Sequence, residues 1–142
     1  MAWTKPTPSE LAADFIASQR DPPDPGSGDL AQLLFPTFPL EEPDLTWTMI
    51  KLVIQAYPEV DYYAELKTEA QTVVGVLAAG PIEDLLSCHG EQFIERFESD
   101  AQEDRRMAWA LGGAWQFQMS DHIWKRVQLA ADRTYWERKI SG

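Results

Sequence analysis

Apolar residues recur at helical spacing along most of the chain. Leu11, Phe15 and Ile16 mark the inner face of a first helix, Glu10 to about Gln19, with Ser9 placed to cap it. Asp21-Pro22-Pro23-Asp24-Pro25-Gly26-Ser27-Gly28 breaks the pattern, because proline and glycine suit neither ladder, so residues 20–28 are a loop. Asp29 is placed to cap a short helix through Leu30, Leu33 and Leu34, and Phe35 to Leu40 reads as extended. From Pro43, one stripe runs through Trp47, Ile50, Ile54 and Tyr57 and a second through Leu45, Met49, Leu52 and Ala56. A helix apolar on two faces is expected to be contacted from both sides, and Pro58 ends it. Val60 to Ala79 then reads as the longest helix, with Tyr62, Leu66, Val73 and Leu77 facing one way. Asp61, Glu65 and Glu69 line another face at i, i+4, i+8.

The punctuation at Gly80-Pro81 organises the second half of the chain. Gly80 suits a left-handed helix end and Pro81 the first position of a new helix. Glu83 and Asp84 fall in its first turn, where the helix dipole favours negative charge. Ile82, Leu85, Leu86 and His89 form its buried face, and Gly90 closes it. The next helix runs from Glu91 to Asp104, with Phe93, Ile94, Phe97 and Ala101 inward and Glu91, Glu95 and Glu98 outward. Arg105 to Trp115 places Ala108, Leu111 and Trp115 on one face. Gly112-Gly113 weakens its end, each glycine costing about 1 kcal/mol against alanine, which predicts a tight contact or a kink there. Ser120 caps a last helix from Asp121 to about Lys139, with Trp124, Val127, Ala131 and Tyr135 inward. No segment alternates as a strand, and no exact repeat is present. The chain is therefore predicted to be all-α: a compact irregular helical bundle or a short array of helical hairpins, with about six to eight helices. One domain spanning residues 1–142 is expected, with residues 1–8 loose.

Charge changes this picture more than size does. The net charge is −11, divided as −3 over residues 1–40, −12 over 41–104 and +4 over 105–142. Such a chain repels nucleic acid and anionic lipid and attracts a basic partner. Of the basic residues Arg105, Arg106, Lys125, Arg126, Arg133, Arg138 and Lys139, Lys125, Arg126 and Arg133 do not share one tight face, and with a net charge of −11 nucleic-acid binding is not expected. The single cysteine, Cys88, allows no intrachain disulfide. The N-terminal residues lack an apolar leader core, and no apolar run is long enough to span a bilayer. A cytoplasmic location and no membrane association are the expectation.

Candidate chemistry is sparse. His89 and His122 sit in no metal-ligand spacing, and one cysteine cannot build a zinc cluster, so neither metal nor cofactor is expected. Cys88 and His89 are adjacent, and adjacent helical residues diverge, so they make no catalytic pair; Cys88 reads as a small core or semi-buried residue. No nucleophile elbow, P-loop or dinucleotide fingerprint occurs. Glu83 and Asp84 could act as an acid–base pair, but their position at a helix start explains them. The chain is therefore read as not an enzyme. A ligand pocket walled by His89, Trp115 and Trp124 is the remaining small-molecule option. The two carboxylate rows, Asp61, Glu65 and Glu69, and Glu91, Glu95 and Glu98, are the candidate partner-binding residues. Like charges at i, i+4 destabilise a helix by a few tenths of a kcal/mol per pair, and docking on a basic protein is one explanation for keeping them.

Ala79-Gly80-Pro81-Ile82-Glu83-Asp84-Leu85-Leu86, then His89-Gly90, then Leu111-Gly112-Gly113-Ala114-Trp115 resemble a small bacterial family of unknown function. Its pattern is A-G-P-x-E-D-L-L-x-x-H-G followed by L-G-G-x-W, and the resemblance spans roughly residues 45–130. It implies a compact helical domain of bacterial or phage origin and no particular activity. Small acidic bacterial proteins without catalytic motifs are often immunity proteins, and by that analogy of class the chain is expected to neutralise a basic effector toxin by occluding its active site. The alternatives are an inhibitor or scaffold protein of another pathway, or the small-ligand domain with its pocket near His89 and Trp115.

Overall fold

The computed structural model describes residues 4–34 and 37–141. The helices are α1 (Pro8–Gln19), α2 (Thr37–Glu41), α3 (Pro43–Gln55), α4 (Glu59–Tyr62), α5 (Glu69–Leu77), α6 (Glu83–Glu103), α7 (Arg105–Gly112), α8 (Asp121–Ala130) and α9 (Thr134–Ser141). A 3-10 turn, Ala31–Leu34, precedes α2, and a π-helical turn, Ala78–Ile82, joins α5 to α6. Among the described residues there is no strand, and the all-α expectation holds as an irregular bundle. α3 lies at its centre and touches α1, α2, α5, α6 and α7. That position accounts for its two apolar stripes: Met49, Ile50, Val53 and Ile54 are buried, and Trp47 and Leu52 pack against the core. No helix among the described residues is long and apolar enough to cross a membrane.

Local side-chain chemistry sets the boundaries. Thr7, not Ser9, caps α1: its hydroxyl accepts from Glu10 N at 3.1 Å, and the Glu10 carboxylate accepts from Thr7 N. The loop over residues 20–28 is present, and it is fastened from α1. The Asp14 carboxylate accepts the backbone N–H groups of Gly28, Leu30 and Ala31 at 2.8–2.9 Å, doing the capping expected of Asp29. Thr37 to Glu41 is helical rather than extended, and buries Phe38. Phe35 and Pro36, and Met1 to Trp3 of the segment expected to be loose, lie outside the described residues.

Three expected helices are redrawn. Val60–Ala79 is two helices, because Thr68 and Gln71 form a second capping box that starts α5 afresh. The Thr68 hydroxyl also donates to the Asp61 carbonyl at 2.6 Å, and Gln71 Nε2 donates to the carbonyls of Tyr62 and Ala64. These bonds hold the intervening segment in a non-helical path. At Gly80-Pro81 the opposite correction applies. Gly80 is not left-handed, and the backbone stays helical through Ile82 into α6. The wider π turn accommodates Pro81, whose ring and missing N–H disrupt an ordinary α-helical turn. The break expected at Gly90 is present one residue earlier: α6 is two helical segments that meet at a kink at His89 (φ −137°, ψ 36°), and Gly90 lets Ile123 of α8 approach. Finally, the last helix breaks after Ala130. Asp132 N donates to the Ala108 carbonyl at 2.9 Å, and the Asp132 carboxylate accepts from Thr134 N and the Tyr63 hydroxyl.

That break lets Trp136 fold back over Gly112 and Gly113. Its indole Nε1 donates to the Trp109 carbonyl at 2.8 Å. Tyr62, Trp109, Tyr135 and Trp136 form an aromatic nest with ring centroids 4.6–5.4 Å apart. The contact expected at the glycine pair is this one.

Candidate functional site

The second half of α6 is pinned by its apolar face. Phe93, Ile94 and Phe97 are fully buried, and Trp47 of α3 stacks edge-on against Phe97 at 4.8 Å. The helical period then turns Glu91 and Glu95 outward, and both are exposed. Glu98 is half-buried and binds Arg126 of α8 through two hydrogen bonds, one of them Nε to Oε2 at 2.9 Å. The Glu98 hydrogen bond, aided by the charges of Glu98, Glu95 and Glu91, lifts the Arg126 guanidinium above its ordinary pKa. Neither Glu91 nor Glu95 makes an ion pair among the described residues. Elsewhere cations and carboxylates are matched, across elements for Lys51 with Asp100, Arg96 with Asp44 and Arg105 with Glu59, and locally at the start of α7 for Arg106 with Asp104.

The other expected row does not form. Asp61 is on α4, Glu65 lies in the linking segment, and Glu69 opens α5. Glu69 serves the fold: it accepts from the Tyr57 hydroxyl at 2.6 Å and pairs with Arg20 at 3.7 Å. Burial and the Glu69 carboxylate together raise the Tyr57 pKa far above its ordinary value. Asp61 and Glu65 make no shared surface with it along one helix.

The fresh helix start expected at Glu83 and Asp84 is absent. The Glu83 N–H instead bonds back to the Gly80 carbonyl, so no open turn of N–H groups greets them. Burial raises the pKa of both. Glu83 accepts the Trp115 backbone N–H at 2.6 Å, which lowers its pKa in part, while the Asp84 charge raises it. Cys88 is exposed rather than in the core, and desolvation and the Asp84 charge raise its thiol pKa, which disfavours the nucleophilic thiolate.

His89, Trp115 and Trp124 do not share a pocket. His89 Nε2–H donates to the Leu40 carbonyl at 2.7 Å across the α6 kink. Its ring lines a groove of about 460 Å3 with Cys88, Glu91, Gln118, Ser120 and Ile123, to which neither tryptophan contributes. Trp124 packs against the core. Trp115 lies beyond the end of α7 and is 53% exposed, with the Arg133 guanidinium 5.0 Å from its ring. Trp109, not Trp115, is the buried tryptophan of α7. Among the described residues no group of three or more His, Cys, Asp or Glu could hold a metal ion.

A family model described as a family of unknown function matches residues 31–135. The chain belongs to the DUF6869 family. No curated protein and no solved structure matches it. The DUF6869 match is wider than the motif span of residues 45–130 and takes in the α6 carboxylates, the groove and the loop after α7. It begins at the 3-10 turn that Asp14 of α1 caps, and ends one residue before Trp136.

Sequence reasoning missed Phe117, the Arg133–Trp115 contact and the Trp109–Trp136 contact. The first has a left-handed backbone, which no local signal announces. The second capping box was legible as Thr68-x-x-Gln71.

Proposed function

We propose that this DUF6869 protein is a non-catalytic binding protein that offers the outer face of α6 to a basic protein partner. Its class, on this reading, is an immunity protein: it occupies the substrate groove of a basic effector toxin, such as a nuclease, and blocks it. The observation that carries the reading is the state of Glu91 and Glu95. Both are exposed, on a helix fixed by buried phenylalanines, without an ion pair among the described residues. The nearby cation, Arg126, is already held by Glu98. Two carboxylates presented this way attract a cationic surface at little ordering cost, and a net charge of −11 adds long-range steering. A tryptophan-lined small-ligand pocket has less support, since His89 lines its groove without Trp115 or Trp124.

The test is affinity capture from the native host with tagged wild-type protein and with the double variant Glu91→Lys, Glu95→Lys, each at low and high salt. A single stoichiometric basic protein, loosened by salt and lost from the variant, is the expected result. Equal recovery by wild type and variant, or an acidic partner, contradicts the reading.

A further inference from the structure

We infer that the loop over residues 113–120 is the apolar anchor of this docking surface, with Trp115 and Phe117 seating an extended, arginine-bearing segment of a basic protein whose guanidinium enters the groove beside Glu91. The inference rests on the acidic docking reading above and adds to it the part of the surface that sets the lifetime of the complex.

Two large apolar side chains two residues apart are exposed here, Trp115 at 53%, with the Arg133 guanidinium 5.0 Å from its ring, and Phe117 at 66%. Phe117 also has φ +38°, a left-handed conformation that is unfavourable for a bulky residue. Such strain persists where the surroundings impose it, and α6 imposes it here. Glu83 accepts the Trp115 N–H at 2.6 Å, and the Ser87 hydroxyl oxygen accepts the Gln118 N–H at 3.3 Å. Within the loop, Gln116 Nε2 donates to the Met119 carbonyl and to Asp121 Oδ1, and Met119 N donates to the Gln116 carbonyl. The rings are thus held out by a framework that spares a partner the cost of ordering them.

Charge decides the occupant. Gln118 and Ser120, which follow Phe117, line the groove of about 460 Å3 together with Glu91. Leu86 and Ile123, both almost fully buried, form its floor only at their edges, and the rest of its lining is mainly polar. The Glu91 carboxylate suits a guanidinium, whose planar fork pairs with both of its oxygens, better than a compact ammonium. Arginine and aromatic anchors are also the side chains that dominate protein interfaces.

The experiment titrates the full 15N-labelled chain with two synthetic hexapeptides, one alternating arginine with leucine and one alternating glutamate with leucine. The arginine peptide is expected to shift the amides of residues 115–120 and of Glu91, and the glutamate peptide to leave them in place. Trp115→Ala and Phe117→Gly are each expected to weaken the arginine peptide by about tenfold or more. Phe117→Gly removes the ring while permitting the left-handed backbone, so it keeps the fold testable. Unchanged affinity in both variants, alongside loss in Glu91→Lys, Glu95→Lys, overturns the anchor and leaves the acidic reading standing. Absence of binding, or equal binding of both peptides, overturns both.

Discussion

A β-carbon added at Gly112 would stand 2.2 Å from the Asp132 carbonyl oxygen and 2.6 Å from the Trp136 ring. At Gly113 it would stand 2.5 Å from the same indole. The backbone oxygen cannot yield as a flexible side chain would. Helix propensity alone predicts that Gly112→Ala gains about 1 kcal/mol. Overpacking predicts a loss of about 2 kcal/mol instead, and the expected outcome is the loss, read as a lower urea midpoint with an unchanged slope. A variant as stable as wild type would mean that Trp136 is not seated there. The glycine pair was legible in the sequence as a close contact, but its partner was not. Trp136 reaches it only because the chain breaks at residues 131–133, and that break depends on Asp132 meeting Ala108 and Tyr63, which are distant in sequence.

At the scale of elements, caps outweigh periodicity. The apolar spacing from residue 60 to 79 is continuous enough to read as one helix, yet Thr68 and Gln71 divide it. Thr68→Ala removes an acceptor for Gln71 N and a donor to the Asp61 carbonyl. It is expected to cost about 1–2 kcal/mol by chemical denaturation, while Ser9→Ala, at an exposed position inside α1, is expected to change little. Equal effects would show that the second box does not set the start of α5. The converse holds at Gly80-Pro81, where strong punctuation marks a π turn and α5 runs on into α6. A proline signal cannot distinguish a helix start from a bulge, because both dispense with the same N–H. The energetic consequence is at Asp84, whose carboxyl pKa burial raises. With the folded value above the unfolded one, the ionised form destabilises the fold above the folded pKa, and that penalty disappears at low pH. Asp84→Asn is therefore expected to raise the melting temperature near neutral pH, with the gain fading as pH falls through the raised pKa. A lower melting temperature at neutral pH would mean the charge has a stabilising partner.

Across the whole molecule, periodicity carried the fold class, while assembly decided which carboxylates remain exposed. Of the two carboxylate rows, one is dispersed over α4, the linking segment and α5, with Glu69 drawn into contacts with Tyr57 and Arg20. Of the other, Glu91 and Glu95 remain exposed because the part of α6 after the His89 kink is anchored by its apolar face, while Glu98 is held by Arg126. The surface that results combines Glu91 and Glu95 with a groove and an aromatic loop, of which the carboxylates, His89 and Trp115 were visible beforehand. Phe117 was not, since its exposure depends on tertiary bonds that Glu83 and Ser87 make to its neighbours. The most direct measurement is the affinity of the captured basic partner for wild type and for Glu91→Lys, Glu95→Lys, by calorimetry at two ionic strengths. The predicted result is a 1:1 complex that weakens with salt and is weakened by about tenfold or more by the double reversal. An affinity indifferent to both salt and reversal would contradict acidic docking through α6.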